Sequence, residues 1–250
     1  MKIALLVAYD GTDFRGFARQ PHGRTVQGEI EEALSQLLRV PIRTVGAGRT
    51  DAGVHALGQV MSFVAPDGTD PARVARRVNR RLGPEISVRD AAVVADAFDA
   101  RHSARRRVYE YSLYLASARD PFLDRFAVWM PDGLDVGAMR RAARSFVGEH
   151  DFSSFCRRGD GSMVRRVRSI TVRPSAGRLL IRVVADSFCH QMVRSLAGFL
   201  LDVGRGKREA SAAREALAAR DRAAAGPVAP AKGLVLLAVG YPRPAPFRSR

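Results

Sequence analysis

Cysteine is scarce in this 250-residue sequence. Cys156 and Cys189 are the only two, and neither lies in a C-x-x-C pair, so a disulfide framework is not indicated. Histidines stand at 22, 55, 102, 150 and 190, none at zinc-ligand spacing, and no metal site is expected. No apolar run reaches the roughly 18 residues that suggest a bilayer-spanning helix. The apolar opening Lys2–Ala8 stops at Tyr9-Asp10-Gly11-Thr12-Asp13, and no small-residue cleavage site follows. It therefore reads as a buried strand rather than a secretion signal, and a cytoplasmic protein is expected. Lysine is nearly missing: Lys2, Lys207 and Lys232 are the only ones, so 38 of the 41 basic residues are arginine.

What is present is positive charge. Forty-one basic residues against 25 acidic ones leave a formal charge of +16, a field that attracts polyanions and speeds their capture. An Ala-, Gly- and Arg-rich composition also follows from a GC-rich genome. Charge alone therefore favours a nucleic-acid partner without establishing one. With 46% hydrophobic residues the chain can bury a real core, in one large domain or two of ordinary size.

Periodicity divides the chain. Strands are expected at Lys2–Tyr9, Arg43–Ala47, Gly58–Val64, Ile86–Val94 and Val108–Leu115. Thr25 is a good N-cap for a helix over Val26–Leu38, whose apolar face is Val26, Ile30, Ala33, Leu34, Leu37 and Leu38. Pro71–Leu82 reads as a basic amphipathic helix. Beyond the basic run Arg101–Arg107 the expectations are a helix from Asp135 to Phe146 and a β-pair over Arg165–Arg173 and Arg178–Asp186. An apolar helix over Cys189–Val203, a helix over Glu209–Arg220 and a strand over Gly233–Tyr241 follow. The domains expected are 1–105, 106–241 and a basic, disordered tail 242–250.

One loop stands out. Gly46-Ala47-Gly48-Arg49-Thr50-Asp51-Ala52-Gly53 lacks the Gly-Lys-Ser/Thr ending of a P-loop, and Asp51 stands where a dinucleotide fingerprint needs its third glycine. The glycines permit unusual backbone angles and the close approach of a ligand. The loop thus presents Arg49 and Asp51 rather than cradling a phosphate. Taken alone, Asp51 reads as a solvated turn residue with an Asx-type bond.

The whole string changes that reading. Gly48-Arg49-Thr50-Asp51-Ala52-Gly53-Val54-His55 closely resembles the signature of the tRNA pseudouridine synthase A family. Further blocks are similar to that family in the same order: Tyr9-Asp10-Gly11-Thr12, Gly16-Phe17-Ala18-Arg19-Gln20, Thr25-Val26-Gln27 and Arg107-Val108-Tyr109-Glu110-Tyr111. After them come Phe152-Ser153-Ser154-Phe155, Phe188-Cys189-His190-Gln191-Met192-Val193-Arg194, and Gly233-Leu234 with Leu236, Val239 and Tyr241. The blocks span most of residues 2–241. Phe17 stands where Trp is expected, Gln191 where a second His is common, and Ser195 where Asn is common.

The resemblance implies an α+β pseudouridine synthase fold: two related α/β halves with largely antiparallel sheets meeting around a central cleft. It also implies a homodimer that isomerises uridine to pseudouridine at tRNA positions 38, 39 and 40. Such a reaction breaks the sugar bond to N1 and forms one to C5, with no redox change and no group lost, so no cofactor or metal is required. Asp51 could attack C1′, attack the ring, or abstract a sugar proton; each route needs it ionised in a dry pocket. By the same resemblance Arg194 is its cation, Tyr109 meets the uracil ring, and Arg49 helps hold the target nucleotide out of the stack. Tyr111, on the same strand face, reads as core packing. Arg105, Arg106, Arg107, Arg157, Arg158, Arg165 and Arg166 become candidates for phosphate binding. A non-catalytic RNA-binding protein of this fold, or a synthase acting on another RNA, are the rival readings.

Overall fold

The computed structural model describes residues 1–157, 161–243 and 245–247. It is an α+β protein of two compact units, Met1–Arg107 with Val235–Arg250, and Val108–Leu234. The first break falls two residues beyond the expected boundary. The last strand, expected in the C-terminal half, clusters instead with the N-terminal unit.

In the first unit β1 (Lys2–Tyr9) is the middle of an antiparallel ladder, pairing Leu5 with Met61 of β3 (His55–Val64) and with Ala91 of β4 (Ile86–Val94). Short β2 (Thr44–Gly46) runs antiparallel along the far end of β3, and β10 (Leu234–Gly240) pairs in parallel with its start, Val235 opposite His55. β3 begins three residues earlier than its hydropathy suggests, because that parallel partner takes up His55 and Ala56. A Cβ on Gly58 would stand 2.3 Å from the Leu237 carbonyl, so only glycine lets β10 lie this close.

Helix α1 (Val26–Leu38) is capped by the Thr25 hydroxyl, which accepts from Gly28 N at 3.2 Å, and it buries Val26, Ile30, Ala33 and Leu34. Helix α2 (Pro71–Leu82) has Asp70 as its cap and Pro71 in its first turn, and it buries only Val74 and Val78. The core also takes in a residue expected to be disordered. Phe247 packs with Phe98 and Tyr241 against Ala47, Val60 and Ala100.

Glu31 shows how α1 fixes β2. Its carboxylate is 2% exposed and accepts from Thr44 N at 2.9 Å, Thr44 Oγ1 at 3.2 Å, Arg19 Nη1 at 3.1 Å and Arg43 Nη1 at 3.2 Å. Both guanidinium groups are mainly in solvent, so the buried Thr44 N–H is the partner that would suffer most from loss of the carboxylate. Glu31→Ala should therefore destabilise the protein by about 1–3 kcal/mol, the cost of an orphaned buried donor. Urea unfolding measures it, and a loss under about 0.5 kcal/mol, the range of ordinary surface changes, would contradict this role.

In the second unit the strand order is β5-β9-β8-β7, over Arg106–Leu115, Arg178–Ala185, Val164–Ser175 and Gly148–Asp151. β8 is antiparallel to both neighbours, with Val172 opposite Ile181 and Gly148 opposite Val167. β6 (Val128–Met130) runs parallel to β5. The core helix is α4 (Met192–Gly204), flanked by α3 (Val136–Arg144) and α5 (Ala212–Ala219). Phe199 of α4 meets the rings of Phe146 and Phe155 at 5.6 and 5.7 Å, both well tilted. A Cβ on Gly198 would stand 2.1 Å from the Pro227 carbonyl, which explains a glycine in mid-helix.

The two cysteines correct an expectation. Cys156, after the 3-10 turn Ser153–Phe155, and Cys189, before α4, form a disulfide with Cα atoms 5.7 Å apart. Tertiary folding brings them together across 33 residues, which spacing alone does not reveal. The same two loops are tied by Arg157 N donating to His190 O at 2.9 Å.

Candidate active site

The loop between β2 and β3 is held residue by residue. Ala47 N donates to Val60 O at 2.8 Å, and the fully buried Gln59 donates Nε2 to Gly48 O at 2.7 Å. Thr50 O accepts from Phe17 N at 3.0 Å, while its hydroxyl bonds the Tyr9 hydroxyl at 2.9 Å. Burial pushes the Tyr9 phenol up to about 12, so it stays protonated at working pH and this bond persists. Asp51 O accepts from Val54 N at 3.1 Å, a turn in which Gly53 takes φ +77°.

Two glycines let the opening loop close over this turn. Gly16, at φ +98°, passes so near Thr50 O that a Cβ would stand 3.0 Å from it. On Gly11 a Cβ would stand 2.0 Å from Val54 O. Gly46 is required for a different reason: its missing Cβ is the space filled by the Phe17 ring. The result is a rigid turn with Asp51 half-buried and Arg49 exposed beside it. His55 serves the same scaffold, with Nδ1 3.1 Å from both Gly11 N and Asp10 Oδ1. These contacts ask opposite things of Nδ1. The backbone N–H cannot give up its proton, so Nδ1 is the acceptor.

Arg107 is reassigned by its contacts. It was expected to bind phosphate, yet Nη2 donates to Ala47 O at 2.8 Å and to Arg101 O at 2.9 Å, and Nε reaches Ala47 O at 3.3 Å. The guanidinium is a brace for the loop that carries Asp51. Sequence reasoning missed Tyr9, Gln59 and Arg107 as supports of that loop, although Tyr9 and Arg107 sit inside the blocks that carry the resemblance.

In the second unit Tyr109 is 7% exposed and meets the Phe188 ring edge-on at 5.1 Å. Tyr111 is a core residue, as expected: its hydroxyl donates to Pro230 O at 2.9 Å, and its ring covers Gly233. Burial pushes the Tyr111 phenol up, and the charge of Arg194 opposes that rise. Arg194 lies in the first turn of α4, half-buried, with Nε donating to Ala229 O at 2.9 Å while Ala229 N donates to Arg194 O at 3.1 Å. The helix begins at Met192, three residues later than expected, because Gln191 takes the left-handed conformation at φ 65°. Ser195, where Asn is common, is fully buried, and its hydroxyl has no hydrogen-bond partner among the described residues.

The remaining arginines divide. Arg105, Arg106, Arg157 and Arg166 are exposed. Arg165 is half-buried and gives Nη1 to the carbonyls of Ser162 and Val164 at 2.7 Å each, and burial lowers its pKa. Its Nε is buried with no hydrogen-bond partner among the described residues, so only Nη1 of the phosphate-binding candidate is engaged by backbone. Arg158 lies outside the described residues. Among the described residues no group of three or more His, Cys, Asp or Glu could hold a metal ion, and no helix is long and apolar enough to cross a membrane.

A family model described as tRNA pseudouridine synthase matches residues 5–103 and 142–242. Asp51, Arg49 and Arg194 fall inside those segments, and Tyr109 falls between them. The chain is 44% identical over 246 residues to the tRNA pseudouridine synthase A of Burkholderia multivorans, covering 97% of this chain and 90% of that one. It is 46% identical over 247 residues to the enzyme of that name from Burkholderia vietnamiensis, at the same coverage. With that of Ralstonia nicotianae it shares 45% over 249 residues, covering 96% and 90%. The crystal structure of the archaeal box H/ACA sRNP Nop10-Cbf5 complex aligns with a TM-score of 0.35 at 15% identity, over 80% of this chain and 44% of that one, too distant to bear on function. With most of its length matched in two segments, and relatives this similar end to end, the chain belongs to the tRNA pseudouridine synthase family of isomerases.

Proposed function

We infer that this enzyme isomerises uridines at positions 38 to 40 of the tRNA anticodon stem-loop, with Asp51 as the carboxylate that acts on the nucleotide. The observation that supports this most is the bracing of the Gly46–Val54 turn. Two side chains (Gln59 and Arg107), one buried hydroxyl pair (Tyr9 with Thr50) and the Phe17 N–H hold it, so the Asp51 backbone has little freedom. A carboxylate that must meet C1′ or the ring within a few tenths of an ångström needs that bracing. In this reading Arg194 is the counter-cation of Asp51, Tyr109 lies against the uracil and assists loss of the C5 proton, and exposed Arg49 enters the stack vacated by the target. The enzyme works in the cytoplasm as a homodimer, without cofactor or metal.

The test is a pseudouridine map of tRNA from cells with and without the gene. Loss confined to positions 38 to 40, restored by the gene, supports the reading. An unchanged tRNA map with a site lost from another RNA overturns the substrate assignment.

Exposed Arg105, Arg106, Arg157 and Arg166 are the phosphate contacts in this reading. The logarithm of tRNA affinity should then fall with the logarithm of salt by roughly 0.7–0.9 per contact. Changing any two of the four to glutamine should reduce that slope by about 1–2. A slope that does not move assigns them to compositional background.

A further inference from the structure

Helix α2 carries five arginines and no acidic residue in twelve positions, and nothing in the isomerisation uses them. Arg73, Arg76, Arg77 and Arg80 are all exposed and together line a surface pocket of about 260 Å³. At about 100° per residue the four fall within roughly 100° of arc, opposite the buried face of Val74 and Val78.

This stripe is electrostatically unfavourable to the helix alone. The pairs 73/76, 73/77, 76/80 and 77/80 set like charges three or four positions apart, a spacing that destabilises a helix. Arg73 also stands in the first turn, where the helix dipole disfavours a cation. Compensation is slight: Arg76 reaches Asp70 at 3.8 Å with both groups mostly in solvent, and no acidic side chain lies within ion-pair range of Arg73, Arg77 or Arg80 among the described residues. Arg81, off the stripe, is the one that pairs well, with Glu32 at 3.1 Å.

Direction matters too. β4 pairs Ile86 with Tyr9 and Val94 with Lys2, so α2 runs toward the Tyr9 end of the sheet, where Tyr9 bonds Thr50 beside Asp51. The stripe therefore starts at Arg80 on the end of the unit that holds the catalytic turn. It runs back to Arg73, roughly 10 Å at 1.5 Å per residue. A row of guanidinium groups of that length suits successive phosphates of one nucleic-acid strand, with arginine's planar fork suited to each.

We propose that the arginine stripe of α2 is a docking surface for the phosphate backbone of the substrate RNA, remote from the reacting uridine. This rests on the reading of the enzyme as acting on tRNA. It holds the RNA without touching the chemistry.

The test compares wild type with the variant R73Q/R76Q/R77Q/R80Q and a control of equal charge loss on exposed arginines of the other unit, R141Q/R144Q/R173Q/R214Q. Circular dichroism melts confirm folding. Should the quadruple variant not fold, R73Q/R77Q takes its place. Kd for full-length tRNA is measured from low to high salt, together with the single-turnover isomerisation rate at saturating enzyme. The expected result for the α2 variant is at least tenfold weaker binding at low salt, a salt slope reduced by about 2–4, and an unchanged saturating rate. The control should shift the slope by less than one unit.

Equal losses in variant and control would reduce the effect to bulk charge and overturn the proposal. An unchanged Kd overturns it, as does a fall in the saturating rate. Binding of wild type to phosphatidylglycerol vesicles, lost in the variant while tRNA affinity stays intact, would assign the stripe to a membrane surface instead. A wild-type enzyme that neither binds nor isomerises tRNA would refute the underlying reading, an outcome distinct from all of these.

Discussion

Replacing Asp51 by asparagine is expected to lower the single-turnover isomerisation rate by about four orders of magnitude or more, as for loss of a catalytic nucleophile. The Kd for tRNA should change less than about threefold, since a carboxylate contributes little to phosphate binding. The substitution is nearly isosteric, and the turn around it is held by the Gln59 amide on Gly48 O, the Tyr9–Thr50 hydroxyl pair and the Phe17 N–H on Thr50 O. The fold should therefore survive, and the loss should be chemical. All three routes open to the carboxylate need its negative charge, so asparagine tests the role without choosing among them. A residual rate within tenfold of wild type would make Asp51 a turn residue.

Arg194→Lys should slow the chemical step by about 2–4 kcal/mol, roughly 30- to 900-fold, while tRNA affinity changes much less. The charge is retained, so the effect isolates geometry. Arginine gives Nε to Ala229 O at 2.9 Å, which fixes the plane of the guanidinium; lysine has no Nε and no fork. Under the proposed pairing with Asp51, a lysine ammonium would satisfy Ala229 or face the carboxylate, but not hold both with the same orientation. Arg194→Ala should be slower still. Single-turnover kinetics at saturating enzyme, with Kd measured separately, give both numbers. If Arg194→Lys reacts at the wild-type rate, or loses affinity alone, Arg194 is a phosphate-binding or surface arginine.

The elements legible in the sequence were those whose signals are local. α1 and α2 begin and end where the Thr25 cap and the 3.6-residue periodicity put them, and β1 and β4 match their apolar runs. What the sequence hid is set by distant partners. β6 and β7 have three and four residues and exist through pairing with β5 and β8. β10 reads as a strand but not as one that returns to β3. The Cys156–Cys189 pairing, and the left-handed Gln191 that delays α4, are likewise features that hydropathy cannot register.

The Gly46–Val54 turn was recognisable by its residue string. Its supports were not: Gln59 looks like any strand glutamine, and Arg107 looks like one more member of a basic run until its guanidinium is found on Ala47 O. Composition could not separate that half-buried brace from exposed Arg105 and Arg106, because arginine dominates the basic residues throughout.

The central claim is that Asp51 drives C1′ transfer from N1 to C5 in the anticodon stem-loop, and C5 loses its proton in that step. The most direct measurement is tritium release from tRNA transcripts carrying uridine labelled at C5, with purified wild type and Asp51→Asn. Wild type should release about one tritium per uridine present at positions 38 to 40 and none from a transcript with cytidine at all three, and Asp51→Asn should release none from either. Release by Asp51→Asn at a rate near wild type, or undiminished release from the cytidine transcript, would contradict the account.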